Sequence, residues 1–111
     1  MKTNLIAELC QNHNGDSGLI LDMVAAAKES GAEYVKLQTI HSSQLSKRKR
    51  FDSGLVEGGV LKTIRRPYND EFERLRKLDI DDKTVESFLN ACAHYNIKPM
   101  TTIFTRDLVR K

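Results

Sequence analysis

A strand, a helix and a second strand follow one another within the first 39 residues, and this succession constrains the fold more than any other feature of the sequence. Residues 4–9 form a short apolar run with β character, and residues 34–38 form another. Between them apolar side chains recur at helical spacing, with Asp16 or Ser17 as the N-cap and Gly31 as the residue that ends the helix. Strands joined by one helix in this way are parallel. The sequence therefore predicts an α/β fold.

The rest of the chain continues this pattern less regularly. Residues 39–67 show no strong period and carry a basic run and a Gly-Gly pair. A connection of this length is usually functional, disordered or a decorated excursion. After it the sequence predicts, in order, a helix over residues 69–78 capped by Asn69 or Asp70, a helix over residues 82–95 capped by Asp81 or Asp82, a strand over residues 97–104, and the start of a third helix at residues 106–111.

The predicted sheet is small for an independent domain, because parallel sheets are stable with both faces covered. The sequence also stops shortly after its third predicted strand, before a helix that would cover it. We therefore expect residues 1–111 to be one part of a longer protein.

The second of the later helices has an apolar stripe at i, i+3, i+4 and i+7, formed by Val85, Phe88, Leu89 and Cys92. We expect this stripe, including Cys92, in the core. Cys10 ends the first strand and is a candidate for the lining of a pocket. The two cysteines form no Cys-x-x-Cys pair, so neither a disulfide framework nor a zinc site is expected.

The composition is that of a soluble globular protein, with 40% hydrophobic and 30% charged residues. No apolar stretch approaches the roughly 20 residues of a membrane helix. Glu8 interrupts the apolar run near the amino terminus before a secretory signal could form. We expect a cytoplasmic protein without a membrane partner.

The net charge is +3, and much of the positive excess lies in the Lys-Arg-Lys-Arg run at residues 47–50, with Arg65-Arg66 nearby. Such a run is either a solvated loop or a surface that binds nucleic acid or another anionic partner. No aromatic residues are interleaved with it to stack on bases, which favours the loop. No nucleic-acid partner is expected.

Polar side chains gather where the predicted strands end, which is where functional groups lie in parallel α/β folds. Lys36 is the most informative, because it interrupts an apolar strand and lies two residues from Gln38, on the same side. The set contains a carboxylate, amides, hydroxyls and two candidate cations, and it suits a small, polar, anionic substrate. Its members are Glu8, Asn12, His13, Asn14 and Gly15 around the first strand, Lys36, Gln38 and Thr39 on the second, and Thr101 and Thr102 on the third, with Lys36 and His13 as the candidate cations.

Structural roles would also account for these residues. Glu8 and Lys36 could form a buried ion pair between adjacent strands without any substrate. Residues 12–15 could be only a tight turn with its glycine at positive φ. The other histidines, His41 and His94, have no ligand-like spacing with the one in this turn, and no Ser/His/Asp or phosphate-loop pattern occurs.

Four segments form a pattern by their order and spacing. They are Ile6-Ala7-Glu8, Asn12-His13-Asn14-Gly15-Asp16, Ala26-Ala27-Lys28-Glu29-Ser30-Gly31-Ala32 and Val35-Lys36-Leu37-Gln38-Thr39. Together they resemble the opening of the N-acetylneuraminate (sialic acid) synthase family, which also covers legionaminate and related nonulosonate synthases. The resemblance spans nearly the whole chain, with residues 39–67 poorly matched.

This resemblance implies a partial (β/α)8 TIM barrel made of its first three βα units. Residues 1–111 would be the amino-terminal portion of a synthase domain, with a long excursion at about residues 40–80. Such a fragment is not expected to be active alone. The full-length form would be a homodimer.

The resemblance also implies an enzyme that condenses phosphoenolpyruvate with an N-acetylated amino sugar, such as N-acetylmannosamine. The products would be a nine-carbon 2-keto acid and phosphate. A divalent metal, Mn or Mg, would assist, with its ligands outside this chain. By the same resemblance, the site residues would be Lys36 and Thr102 on phosphoenolpyruvate, Gln38 on the sugar, Glu8 near the reacting end of the sugar, and Asn12, His13 and Asn14 in a loop that closes the site.

The chain departs from the family around Phe104, where members usually carry Pro and Asp and this chain has Ile103 and Thr105. Two other functions stay open. One is a non-catalytic chain that folds by assembling with itself or a partner, because free strand edges pair readily. The other is a binding module that uses the basic run at residues 47–50.

Overall fold

The computed structural model of the protein describes residues 2–110. Its elements are, in chain order, β1 (Ile6–Cys10), α1 (Ser17–Glu29), β2 (Tyr34–Thr39), a 3₁₀ turn (Ser42–Gln44), α2 (Lys49–Ser53), β3 (Leu55–Glu57), β4 (Val60–Thr63), α3 (Tyr68–Arg76), α4 (Asp82–His94), β5 (Lys98–Ile103) and a 3₁₀ helix (Arg106–Arg110).

The strands β1, β2 and β5 form a parallel sheet with β2 in the centre. This confirms the α/β class and the parallel pairing predicted from the first 39 residues. Asp16 caps α1 by accepting a hydrogen bond from the backbone N–H of Leu19 at 3.1 Å. Gly31 follows the helix with a φ of 85°, which is the left-handed conformation expected of a C′ glycine.

The hydrophobic core lies between one face of this sheet and the helices α1 and α4, which contact each other. Cys92 is buried there, as predicted, together with Phe88. The prediction that Leu89 is buried is wrong, since 47% of this residue is exposed. The face that α4 buries is narrower than the apolar stripe in its sequence. The buried cluster comprises Leu9, Ile20, Val24, Ala27, Ala32, Val35, Leu37, Ile80, Phe88, Cys92 and Ile97.

The excursion after β2 is more ordered than the sequence suggested. Residues 39–67 contain the short helix α2 and an antiparallel hairpin of β3 and β4, so of the alternatives that the sequence left open they fit a decorated excursion and not a disordered one. Gly58 and Gly59 form the two-residue turn of this hairpin, both at positive φ. The hairpin strands have three and four residues, too few for a clear alternation of apolar and polar side chains.

Several predicted helix ends also need correction. Helix α3 begins at Tyr68 with Pro67 at its N-cap, so neither Asn69 nor Asp70 caps it. The carboxylate of Asp52 takes the place of a local cap, because its Oδ1 accepts a hydrogen bond from the N–H of Tyr68 at 3.0 Å. Helix α4 is capped by Asp81, as predicted. The segment after β5 is a 3₁₀ helix and not the start of an α-helix, and Lys111 lies outside the described residues.

The second face of the parallel sheet carries exposed apolar side chains. Alternate residues of a strand point to opposite faces, and Ile6 and Met100 are exposed on the face away from the core. The radius of gyration is 17.2 Å, whereas a compact domain of this length has about 13 Å. A sheet that is covered on just one of its faces is consistent with being part of a larger α/β architecture. Within residues 2–110, no helix combines the length and the apolar character needed to cross a membrane.

Candidate functional site

Four of the predicted site residues lie on one face of the sheet. Glu8 on β1 is the register neighbour of Lys36 on β2, and Gln38 on β2 is the register neighbour of Thr102 on β5. Lateral neighbours in a sheet, and residues two apart on one strand, point to the same face. These four side chains form the polar row.

The carboxylate of Glu8 and the ammonium of Lys36 form an ion pair, with 2.6 Å between Oε2 and Nζ. This hydrogen bond with Lys36 is the main reason that the pKa of Glu8 is lowered. The side chains are 35% and 28% exposed respectively, so a ligand can still reach both. The structural alternative is therefore correct in that the pair exists, but the pair is open to solvent.

Cys10 lies at a bulge that strengthens the bend at the end of β1. The register with β2 shifts between Glu8 and Cys10, and Cys10 has a φ of 51°. Its backbone N–H donates to Oε1 of Glu8 at 3.0 Å, and its Sγ accepts a long contact of 3.8 Å from the amide of Gln38. Burial and then the nearby charge of Glu8 raise the pKa of the Cys10 thiol, which keeps it protonated at neutral pH.

Residues 12–15 form tight turns at the end of β1, so the turn interpretation holds for the backbone. The N–H of Asn12 donates to the carbonyl of Leu9 at 3.1 Å, and the N–H of Asn14 donates to that of Gln11 at 3.2 Å. The side chains of Asn12 and Asn14 are exposed. They are therefore free to meet a ligand or another part of a closing site.

His13 is the buried anchor of this turn, with only 1% of its surface exposed. Its Nδ1 accepts a hydrogen bond from the N–H of Gly15 at 3.0 Å, which places the proton on Nε2. Burial lowers the pKa of His13, so the imidazole is neutral at pH 7. The expectation that His13 supplies a second cation is wrong, because a buried imidazole without a carboxylate partner does not hold a proton at Nδ1.

Gln38 belongs to a chain of hydrogen bonds that the sequence did not predict. Its Oε1 accepts from Nε2 of Gln11 at 3.2 Å, and Oε1 of Gln11 accepts from Nη1 of Arg74 at 3.2 Å. Arg74 also forms a two-pronged ion pair with Glu71, at 2.7 and 3.0 Å. The spacing of three residues between Glu71 and Arg74 on a helix was the only sequence signal for this series of hydrogen bonds.

The third strand contributes hydroxyl groups to the same region. Thr102 is half-buried beside Gln38, as its register requires. Thr101 points to the other face, where its Oγ1 lies 2.7 Å from Oγ1 of Thr39. Of the two threonines, Thr102 is the one that belongs to the polar row.

The polar row adjoins a cleft of about 570 Å³ between the ends of the strands and the excursion. Gln11 and Gln38 line it from the sheet side. Arg48 and Arg66 line it from the excursion, and within residues 2–110 neither forms an ion pair with a carboxylate within 4.0 Å. The remaining lining residues are Ile40, His41, Gln44, Leu45, Ser46, Phe51, Asp52, Tyr68, Glu71, Arg74, Leu75, Phe104, Thr105 and Leu108.

The basic run at residues 47–50 is exposed throughout, but it is not simply a loop. Its second half begins helix α2, where the guanidinium of Arg50 lies 4.8 Å from the ring centre of Phe51. The ammonium of Lys47 lies 5.8 Å from the ring centre of Tyr68. These cation–π contacts tie the run to aromatic residues of the cleft.

The described part of the chain offers no ready metal site. Across residues 2–110, no three or more His, Cys, Asp or Glu side chains are grouped so that they could hold a metal ion. Glu8 is occupied by Lys36, and the neutral His13 is buried apart from it. The residues described here therefore do not fit a divalent metal by themselves.

Comparison with known proteins gives this site a context. The profile of the NeuB family matches residues 23–111. The chain is 31% identical over 110 residues to the N,N'-diacetyllegionaminic acid synthase of Campylobacter jejuni, which covers 97% of this chain and 31% of that protein. It is 41% identical over 54 residues to the pseudaminic acid synthase of Helicobacter pylori, which covers 49% of this chain and 16% of that protein.

A third relative is the N,N'-diacetyllegionaminic acid synthase of Legionella pneumophila, 54% identical over 41 residues, or 37% of this chain and 12% of that protein. The chain spans less than a third of the length of each of these curated relatives. The family profile covers most of the chain, and it confirms the resemblance that the sequence motifs indicated. The chain belongs to the NeuB family, that of the sialic-acid-type synthases.

Proposed function

We propose that this chain is the amino-terminal portion, with an excursion at about residues 40–80, of a TIM-barrel nonulosonate synthase. The enzyme condenses phosphoenolpyruvate with an N-acetylated amino sugar of the N-acetylmannosamine type. Carbon C3 of phosphoenolpyruvate bonds to the aldehyde carbon of the open-chain sugar. Water replaces phosphate at C2, which becomes the keto group, and phosphate leaves. Family membership and the open Glu8–Lys36 pair on the polar row support this proposal.

Lys36 is the residue that we assign to phosphoenolpyruvate. Lys36 is the third of the six residues of β2, and a cation fixed in a parallel strand suits a substrate that carries a carboxylate and a phosphate. In the structure its ammonium is neutralised by Glu8 at 2.6 Å. Binding of phosphoenolpyruvate would therefore exchange one anionic partner of Lys36 for another, which frees the carboxylate of Glu8 at the moment the site fills.

Glu8 then becomes the catalytic carboxylate near the reacting end of the sugar. A glutamate carboxylate is ionised at neutral pH even without a cationic partner, so Glu8 can then accept a hydrogen bond or a proton and cannot donate one. Gln38 hydrogen-bonds the sugar and Thr102, its register neighbour, contacts phosphoenolpyruvate. The exposed Asn12 and Asn14 help to close the site over the substrates, together with the turn that His13 anchors.

A divalent metal, Mn or Mg, is expected for this class of reaction as a Lewis acid on a substrate oxygen. Within residues 2–110 no group of His, Cys, Asp or Glu side chains is placed to hold this ion, so its ligands would come from outside these residues. We further expect the enzyme to act in the cytoplasm as a homodimer.

The proposal is tested by incubating the natural protein with phosphoenolpyruvate and a panel of N-acetylated hexosamines and measuring phosphate release. We expect release only when a sugar is present. Lys36→Ala should lower kcat/KM for phosphoenolpyruvate by about 100-fold, since it removes a charge aimed at the reacting anion. Lys98→Ala is the matched control. Lys98 is the first residue of β5, and its ammonium lies over the ring of Tyr34 and not in the polar row, so its removal should leave kcat/KM unchanged. Sugar-independent release, or none with any sugar, would refute the proposal.

A second candidate function is assembly without catalysis. The exposed Ile6 and Met100 on the uncovered sheet face are the observation that favours it. In that case the protein would associate but release no phosphate from phosphoenolpyruvate with any sugar, and Ile6→Ser would dissociate it. A synthase instead predicts turnover at every concentration at which the protein is folded.

A further inference from the structure

The polarity of the Gln38 amide is set by residues outside the polar row. An amide group can face a ligand with its oxygen or with its nitrogen, and the neighbouring hydrogen bonds decide which. Gln38 touches Gln11, and Gln11 touches Arg74. The two glutamines are 27 residues apart, and Gln11 and Arg74 are 63 residues apart. This series of hydrogen bonds therefore joins the sheet to helix α3.

The order of donors and acceptors along this chain has only one solution. Arginine has donors and no acceptor, so the atom of Gln11 that meets Arg74 has to be its oxygen. The Gln11 nitrogen then points to Gln38 and requires the oxygen of Gln38 as its acceptor. The nitrogen of Gln38 is left on the far side, where its partner is the weak acceptor Sγ of Cys10 at 3.8 Å.

Glu71 makes the starting point of this chain rigid. Its carboxylate binds Arg74 through two hydrogen bonds, which fixes the plane of the guanidinium. The same ion pair lowers the pKa of Glu71 and raises that of Arg74, so both stay charged across the neutral range. The direction of the chain therefore does not change with pH around neutrality.

We propose that Gln11, held by Arg74, is a positioning residue that makes Gln38 present its N–H donors to the substrate. This inference rests on the proposed function and adds a specificity rule to it. The amino sugar has to offer a hydrogen-bond acceptor to Gln38, such as an acetamido carbonyl or a hydroxyl oxygen. A flipped Gln38 would place its own oxygen against that acceptor and repel it.

The test compares Gln11→Leu with Gln11→Glu in the natural protein. Leucine removes both contacts of Gln11. Glutamate keeps the contact with Arg74 and adds an ion pair, but it cannot donate to Gln38, which then has to flip. Both variants should raise the KM for the amino sugar about tenfold, the loss of one hydrogen bond to the substrate, and leave the KM for phosphoenolpyruvate unchanged.

The Gln11→Glu variant distinguishes two roles of Gln11. If Gln11 only attached the turn to α3, glutamate would preserve that role, because it keeps the contact with Arg74. A normal sugar KM in Gln11→Glu therefore overturns the inference while the proposed function stands. In a Gln38→Leu background, Gln11→Glu should have no further effect on the sugar KM, and an additive effect overturns the inference as well. Wild-type protein without sugar-dependent turnover overturns the proposed function, and with it the role of Gln11.

Discussion

Replacing Gly15 with alanine should destabilise the protein strongly, because this glycine is where the turn of residues 12–15 meets helix α3. Gly15 has a φ of 81°, and a Cβ built on it would lie 2.0 Å from the carbonyl oxygen of Lys77. Alanine in the left-handed region costs about 1–2 kcal/mol. A contact this short also forces the backbone apart, and overpacking of this kind adds about 1–3 kcal/mol. We therefore expect a loss of about 2–5 kcal/mol in total.

Gly31→Ala is the matched control. Gly31 has a φ of 85°, and a Cβ there would meet nothing within 4 Å. It therefore carries the conformational cost alone, about 1–2 kcal/mol. The free energy of unfolding would be measured by urea denaturation of the natural protein, followed by circular dichroism. Equal destabilisation by the two substitutions would show that the turn does not pack against Lys77, and the reasoning would fail.

Three further predictions follow from burial and charge. Phe88→Ala should cost about 3–5 kcal/mol in urea denaturation and Leu89→Ala less than about 1, because only Phe88 is buried; similar losses would contradict the assigned orientation of α4. Because the pKa of His13 is lowered in the fold, the unfolded chain binds more protons below about pH 6.5. Stability should fall as the pH drops from 7.5 to 5.5, and His13→Gln should reduce this dependence; an identical dependence in the variant would exclude His13 as the cause. Burial raises the pKa of Cys92 to about 11, so a thiol reagent at pH 7.5 should modify Cys10 before Cys92, and the reverse order by mass spectrometry would place Cys92 at the surface.

The sequence predicts those features that depend on short-range periodicity. The spacing of apolar residues is enough to place α1, α4 and the strands of the parallel sheet, and the period of two is enough to put Lys36 and Gln38 on one face. The prediction that Leu89 is buried is wrong because helical periodicity gives the direction of the buried face of a helix but not its width. The sequence does not predict the hairpin of β3 and β4, because its strands are too short to show an alternation of apolar and polar residues. The Gly58-Gly59 pair nevertheless indicates its turn.

The contacts that could not be predicted are those between segments far apart in sequence. The pairing of Gln11 with Arg74 depends on where the excursion returns to the sheet, and nothing local to either residue encodes that path. The same is true of the burial of His13, whose sequence context is that of an exposed turn. A residue type in a motif indicates which chemistry is possible, whereas its charge state depends on the packing around it.

The candidate site therefore has two parts with different origins. The strands supply the Glu8–Lys36 pair, which the register of β1 and β2 brings together. The excursion supplies the far wall of the cleft, including Arg48 and Arg66. Gln38 is where the two parts meet, because it stands on β2 while its orientation is set by Arg74 through Gln11. Under the proposed function, substitutions of Gln11 or Arg74 should therefore change the KM for the sugar through Gln38, whereas substitution of Lys36 should change the use of phosphoenolpyruvate.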